Sequence, residues 1–289
     1  MFRNLIYMTI KELNLYLTNI LNKAEQNPNI AFFLIQHFEN ISDKLQFIEQ
    51  QDKESIHSNE IINALNEYID GKPLSKIIGK TQFCNLEFIV NNNVFSPRLE
   101  TELLVELAIN KIKEHNSNTL NVADICCGTG VIGLSIKSKI PGINLYQSDI
   151  DENAYFNTLE NAKKLNLESN VNLSPNLEYY YKSNILLDVI ISNPPYISIN
   201  DINVGKNVNK YDPLTSLYCA DNGLIVYKTI IQQSLKVINQ NSFLIIFEIG
   251  FNQGEILTNY VKNIYPDAKI EIIKDYANLD RILVITKNW

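Results

Sequence analysis

From Arg98 to the C-terminus, short apolar runs alternate with longer segments of helical period, and this alternation constrains the fold more than any other feature of the 289-residue chain. The runs near 120–125, 143–148, 186–192, 242–249, 269–274 and 280–286, with a weaker one at 171–173, have the length and β-branched content of strands. Segments near 131–139, 152–166, 223–238 and 252–264 lie between them, and a further helix is expected from about Glu100 to His115. Such alternation predicts an α/β domain, a mostly parallel seven-stranded sheet with helices on both faces. Ligands in these sheets bind outside the carboxyl ends of the strands. Chemistry is therefore expected in the segments that leave those ends.

The first 75 residues read differently. Ile10, Leu13, Leu17, Ile20 and Leu21 recur at helical spacing. A second helix is expected from near Pro28, carrying Phe32, Phe33, Ile35 and Phe38, and a third from Lys44 to Gln50. A fourth is expected from Ser58, as N-cap, to Asp70, with Gly71 as the stop. No chemistry-bearing motif falls here, and residues 1–75 read as a small helical domain serving recognition or packing support. Residues 76–97 read as a linker: Phe83, Leu86, Phe88, Val90, Val94 and Phe95 flank Asn91-Asn92-Asn93, which predicts a β-hairpin with an Asn-rich turn. Residues 98–289 form the α/β domain.

The net charge of −7 and the lack of a Lys/Arg run argue against nucleic acid as the direct substrate. Cys84, Cys126, Cys127 and Cys219 form no C-x-x-C pair, and no His sits at ligand spacing from them, so no metal site is expected. Four cysteines in so long a chain do not make a disulfide framework, which fits a reducing compartment. The apolar run Met1–Ile10 is too short for a secretory segment, and no stretch approaches a membrane span. The expectation is a cytoplasmic protein.

Asn121-Val-Ala-Asp-Ile125 runs into Cys126-Cys127-Gly128-Thr129-Gly130, where a helix opens. Gly128 and Gly130 allow a sharp turn and a close approach to a ligand, and the helix N-terminus offers free N–H groups. Gly128-Thr-Gly130-Val-Ile-Gly133 also matches the dinucleotide fingerprint, and Asp149 closes the second strand, where an acid can accept from both ribose hydroxyls. NAD and S-adenosylmethionine both contain a ribose, so these residues do not choose between them. Asp124 holds the turn or a ligand amino group, or only caps the loop.

The strand Leu186–Ser192 ends in Asn193-Pro194-Pro195-Tyr196. Two prolines stiffen the chain and remove two donors. What remains is an arc of carbonyl acceptors beside the Asn193 side chain, suited to an –NH2 group with two protons to donate. Two acceptors can hold an amide nitrogen with its lone pair toward an electrophilic methyl, and they oppose the charge that grows on nitrogen during transfer. Tyr196 adds an aromatic wall. His37, His57 and His115 all lie outside these motifs.

Asn-Pro-Pro-Tyr at this place resembles the amino-group methyltransferases with the Rossmann-like class I fold. Its longer context resembles the HemK/PrmC-type glutamine methyltransferases that modify peptide-chain release factors. The resemblance is carried by Gly71–Gly79 with Phe83, by Phe95-Ser-Pro-Arg98-Leu-Glu-Thr101-Glu102, by Asp212-Pro213-Leu214 and Asp221-x-Gly223, by Glu248-x-Gly250-x-x-Gln253-Gly254, and by Asp275-Tyr276 through Asp280-Arg281. It implies a class I S-adenosylmethionine methyltransferase core and a release-factor Gly-Gly-Gln loop entering the cleft. The glutamine amide would bind Asn193 and the Pro194 carbonyl, with Pro195 and Tyr196 lining the pocket. Asp124, Cys126, Gly128, Gly130, Asp149, Asn176 and Asn193 would hold the cofactor, and Arg98 would lie near the cleft.

Two positions depart from the family. Cys126 stands where the family usually has Gly or Cys, and a Cys is tolerable there if its φ is negative. Ser174-Pro175-Asn176 stands where an Asp often reads the adenine amino group, and an Asn accepts that hydrogen bond more weakly. The rival readings are an NAD-dependent oxidoreductase, a glutamine methyltransferase of a ribosomal protein, an adenine-N6 DNA methyltransferase, and a non-catalytic cofactor-binding protein.

Overall fold

A computed structural model describes residues 8–115, 119–201 and 208–289, the side chains of 208 and 209 excepted. The chain divides into two compact units, Met1–Gly79 with Gly205–Tyr211, and Lys80–Val204 with Asp212–Trp289.

The first unit is helical: α1 (Ile10–Lys23), α2 (Ile30–Phe38), α3 (Lys44–Gln50), α4 (Ser58–Ile69) and α5 (Leu74–Ile78). Thr9 and Glu12 start α1 with a reciprocal capping box. Leu13, Leu17 and Leu21 of α1 share one buried core with Leu34 and Ile35 of α2 and Ile61 and Leu65 of α4. Ser58 is not the N-cap of α4: it is the first helical residue, is buried, and its hydroxyl donates to the Ser55 carbonyl. The stop at Gly71 holds, with φ 94°. One more helix, α5, runs across the expected boundary at 75/76 and is closed by Gly79 at φ 72°.

The second unit opens with the hairpin β1 (Lys80–Phe83) and β2 (Leu86–Ile89). Its turn is Cys84-Asn85, not Asn91–Asn93. Phe83 pairs with Leu86 across a two-residue loop whose φ values are 50° and 64°, the left-handed pair of a type I′ turn. The asparagine run follows β2 instead, where Asn157 and Asn161 bond the backbone of Ile89 and Asn91 at 2.7–3.0 Å.

Then come α6 (Thr101–Glu114), β3 (Asn121–Ile125), α7 (Val131–Lys139), β4 (Asn144–Asp149), α8 (Glu152–Leu165), β5 (Asn170–Leu173), α9 (Glu178–Lys182), β6 (Val189–Ser192) and β7 (Ile197–Ser198). A single turn, α10 (Val208–Tyr211), belongs to the first unit. The chain finishes with β8 (Tyr218–Cys219), the turn α11 (Ala220–Gly223), α12 (Ile225–Ser234), β9 (Phe243–Glu248), α13 (Gly254–Ile264), β10 (Lys269–Lys274) and β11 (Asp280–Lys287). The helix expected at 223–238 is shortened at its start because Asp221, Asn222 and Gly223 all take positive φ.

Seven strands form one sheet in the order β10-β11-β9-β6-β3-β4-β5, in which only β11 runs against its neighbours. Both faces are covered, so all six residues of β9 are buried. Strand alternation sends Val122, Leu145, Val189 and Leu244 to a core shared with α6 and α7. Ala123, Ile125, Ile190 and Ile245 face the other core, with α9, α12 and α13. The chain leaves β3 toward β4 on one side and returns to β6 on the other. The carboxyl ends of β3, β4 and β6 therefore meet at the topological switch point.

Candidate active site

At that switch point lies a cavity of about 380 Å³. It is lined by Cys126 and Gly128 after β3, Asp149 at the end of β4, Asn176 after β5, and Asn193–Tyr196 after β6, with Arg98 at its edge. Segments far apart in sequence come together there because parallel strands end on one side of the sheet.

The glycine turn is tighter than the sequence reading allowed. Cys126 has φ 60°, in the left-handed region, so the condition of a negative φ is not met. A non-glycine residue there costs about 1–2 kcal/mol, which the surrounding turn must hold. Gly128, at φ 58°, donates its N–H to Asp149 Oδ2 at 2.9 Å, and a Cβ added to it would meet nothing within 4 Å. Asp149 Oδ1 accepts from the Asp151 N–H at 3.0 Å. Burial pushes the Asp149 carboxyl upward, and these two N–H groups oppose the shift.

Gly130 and Asp124 do not line the cavity. Gly130 has φ 80°, as a sharp turn requires, and a Cβ on it would also lie 2.9 Å from Thr158 Cγ2 of α8. Asp124 is fully buried on the α7 face of the sheet, and its Oδ2 accepts from the Gly133 N–H and from Gln147 Nε2, both at 2.9 Å. Of the readings open for it, the structure favours holding the turn: it fixes the first turn of α7 against β4. Its Oδ1 is buried without a partner among the described residues, and burial pushes the carboxyl up to about 7. Asn176 reaches the cavity wall at φ 48°, its carbonyl accepting from the Ser148 hydroxyl at 3.4 Å.

In the Asn193–Tyr196 arc, two carbonyls are already engaged. The Cys219 thiol donates to Pro195 O at 3.0 Å, and Gln253 Nε2 donates to Tyr196 O at 2.9 Å. The Asn193 Nδ2 group donates to Thr101 Oγ1 at 3.3 Å. Among the described residues, no donor meets Pro194 O or Asn193 Oδ1. Both are therefore available to an incoming group. Burial pushes the Tyr196 phenol up to about 12, so it stays neutral. At the cavity's edge, the Arg98 guanidinium bonds the buried Asp212 carboxylate at 2.6 Å and lies 5.0 Å above the Phe95 ring.

The sequence reading named no role for Cys219, Gln253 or Asp212, although Gln253 and Asp212 stand in the stretches that carry the resemblance. Nothing in local sequence shows that a side chain will reach a carbonyl 24 or 57 positions away.

Residues 85–209 match the family described as the methyltransferase small domain. The release factor glutamine methyltransferase of Clostridium botulinum is 37% identical over 218 residues, 74% of this chain and 76% of that protein. The one from Mycoplasma mycoides subsp. mycoides is 31% identical over 284 residues, 94% and 98% of the two chains. The chain belongs to the release factor glutamine methyltransferase family. Membership sets aside the oxidoreductase reading, which had left Asn193–Tyr196 without a task. In three dimensions the methyltransferase fold recurs in a T. thermophilus 16S rRNA N2 methyltransferase solved with AdoMet and guanosine, at TM-score 0.52 and 12% identity over 72% of this chain and 50% of that one. Among the described residues no group of three His, Cys, Asp or Glu gathers to hold a metal, and no helix is long and apolar enough to cross a membrane.

Proposed function

We propose that the protein methylates the side-chain amide nitrogen of the glutamine in the Gly-Gly-Gln loop of peptide-chain release factors, in the cytoplasm, with S-adenosylmethionine as donor. The observation that carries this reading is the pair of acceptors, Asn193 Oδ1 and Pro194 O, neighbours in the chain at the cavity wall and met by no donor among the described residues. An amide –NH2 brings two protons, and two fixed acceptors take both. With both N–H protons held, the nitrogen lone pair, otherwise delocalised into the substrate's own carbonyl, is left to face the cavity. The same dipoles oppose the positive charge that develops on nitrogen. The proton is lost to water once the new bond has formed.

The cavity suits the cofactor on its own geometry. Its volume falls within the roughly 300–1,000 Å³ of small-molecule sites. Open space at Gly128 admits a close backbone approach, and Asp149 sets an acceptor where ribose hydroxyls would lie. When bound, S-adenosylmethionine supplies a methyl group on a sulfonium, a leaving group good enough to react with a weakly nucleophilic amide. In this reading Cys126, Gly128, Asp149 and Asn176 hold it, while Asp124 and Gly130 shape the turn from behind. The helical unit is assigned to substrate recognition, supported by the exposed Leu45 and Ile48 on α3.

The test is transfer of isotopically labelled methyl to purified release factor, followed by mass-spectrometric localisation. Label on the loop glutamine, abolished by a Gln-to-Ala change in the acceptor, is the expected result. Label on a ribosomal protein in its place would redirect the substrate, and label on neither would overturn the proposal.

A further inference from the structure

The side-chain amide of Asn193 has two ends of nearly equal shape and opposite polarity, and only the oxygen end suits an incoming –NH2 group. What decides which end faces the cavity is the partner at the other end. Asn193 follows β6 and Glu248 closes β9, the neighbouring parallel strand in which Ser192 pairs with Phe247. Thr101, the first residue of α6, meets both, and the Asn193 side chain also acts directly on the Glu248 carboxyl, opposing with Thr101 the upward push of burial. The Thr101 hydroxyl donates to Glu248 Oε2 at 2.7 Å and accepts from Asn193 Nδ2 at 3.3 Å. Thr101 and Glu248 are 3% and 2% exposed, so water does not substitute for either contact.

A carboxylate only accepts, and a hydroxyl has one proton. With that proton committed to Glu248, Thr101 Oγ1 can offer Asn193 nothing but lone pairs. Asn193 must then turn its –NH2 toward Thr101 and its Oδ1 away. The reversed amide would set oxygen against oxygen at Thr101 and –NH2 against –NH2 in the cavity.

We propose that Glu248 and Thr101 are positioning residues that fix the polarity of the Asn193 amide, so that Oδ1 meets the acceptor nitrogen. The proposal rests on the methyl-transfer reading of this site. It goes beyond that reading by assigning two buried residues, Thr101 at the cavity wall and Glu248 behind it, to the orientation of Asn193.

Thr101→Val keeps the shape and removes the hydroxyl, Thr101→Ser keeps the hydroxyl, and Glu248→Gln lets the chain of donors reverse. Steady-state kinetics with release factor should show kcat lowered by about 10- to 100-fold in T101V and E248Q, with KM for release factor and calorimetric affinity for S-adenosylhomocysteine within about threefold. T101S should restore kcat to near the wild-type value. A second readout needs no acceptor. The Asn193 side-chain amide protons, assigned by their absence in N193D, should be protected from solvent exchange in the wild-type enzyme and in T101S, and less protected in T101V. Should T101V prove unfolded, E248Q and T101S carry both readouts. Wild-type kcat in a folded T101V or E248Q, or unaltered protection in T101V, overturns the proposal. A wild-type enzyme that methylates no release factor would instead defeat the function proposed above, and the exchange readout would still judge the relay.

Discussion

Gly223 lies backbone to backbone against Tyr196: a Cβ placed on Gly223 would come 2.1 Å from the Tyr196 carbonyl oxygen. Gln253 closes the same contact from the side, with Nε2 at 2.9 Å from Tyr196 O and 3.4 Å from Gly223 O. The exit of the proline arc is thus pinned by two residues from later in the chain. Gly223 also has φ 83°, so a side chain is strained there twice over. Gly223→Ala should lower turnover by at least ~10-fold, since about 1 Å of misplacement can cost ~100-fold. Single-turnover rates and thermal melting of G223A check this. A variant of normal activity would show that the arc tolerates displacement.

Asn193→Ala removes one of the two free acceptors. Turnover should fall at least ~100-fold with little change in cofactor affinity, because the contact strengthens as charge develops on nitrogen. Kinetics with saturating release factor and calorimetry with S-adenosylhomocysteine separate the two effects. Near-normal turnover would remove Asn193 from the mechanism.

Asp149→Ala should act on binding instead. It removes the acceptor expected for the ribose and frees the Gly128 and Asp151 N–H groups that Asp149 now holds. Affinity for S-adenosylhomocysteine should fall at least ~10-fold, the loss expected when hydrogen bonds to a charged group worth about 1.5–3 kcal/mol are removed. Calorimetry measures it directly, and an unchanged affinity would mean that the ribose is held elsewhere.

Cys126 tolerates φ 60° with an unbranched side chain. A β-branched residue in this region is a genuine outlier. Cys126→Val should lower stability by about 2 kcal/mol or more relative to Cys126→Gly, read from urea unfolding midpoints. Equal midpoints would show that the turn relaxes to negative φ.

Asp124 predicts a pH dependence. Its carboxyl is raised from 3.8 to about 7, with burial as the largest cause and Gln147 and Gly133 opposing. Between these two values the folded state binds a proton that the unfolded state has lost. The stabilisation is therefore complete below pH ~4 and lost as the pH rises through about 7. Asp124→Asn cannot ionise. Its melting temperature relative to the wild type should rise from pH 4.5 to pH 8. A constant difference across that range would show that Asp124 keeps its ordinary titration.

Local pattern and long-range packing divided the structure between them. Helix α3 falls on Lys44–Gln50, α7 on 131–139 and β10 on 269–274, as periodicity predicts, because side-chain period is set by neighbours in the chain. The Asn193–Tyr196 motif and the turn at Gly128 were visible for the same reason: proline and glycine act on their own backbone. The hairpin turn was misread because an asparagine run and Cys84-Asn85 offer similar local chemistry. The pairing of Phe83 with Leu86 chose between them, and Asn157 and Asn161 on α8 claimed the backbone at Ile89 and Asn91. The roles of Asp124 and Gly130 turned on what stands opposite them, Gln147 and Thr158, which no spacing reveals. Sequence alone thus determined which residues bend, stiffen and alternate. Only tertiary structure decided which carbonyls along the proline arc stay free, because hydrogen bonds from Cys219 and Gln253 are made across distances in sequence over which the chain carries no local signal.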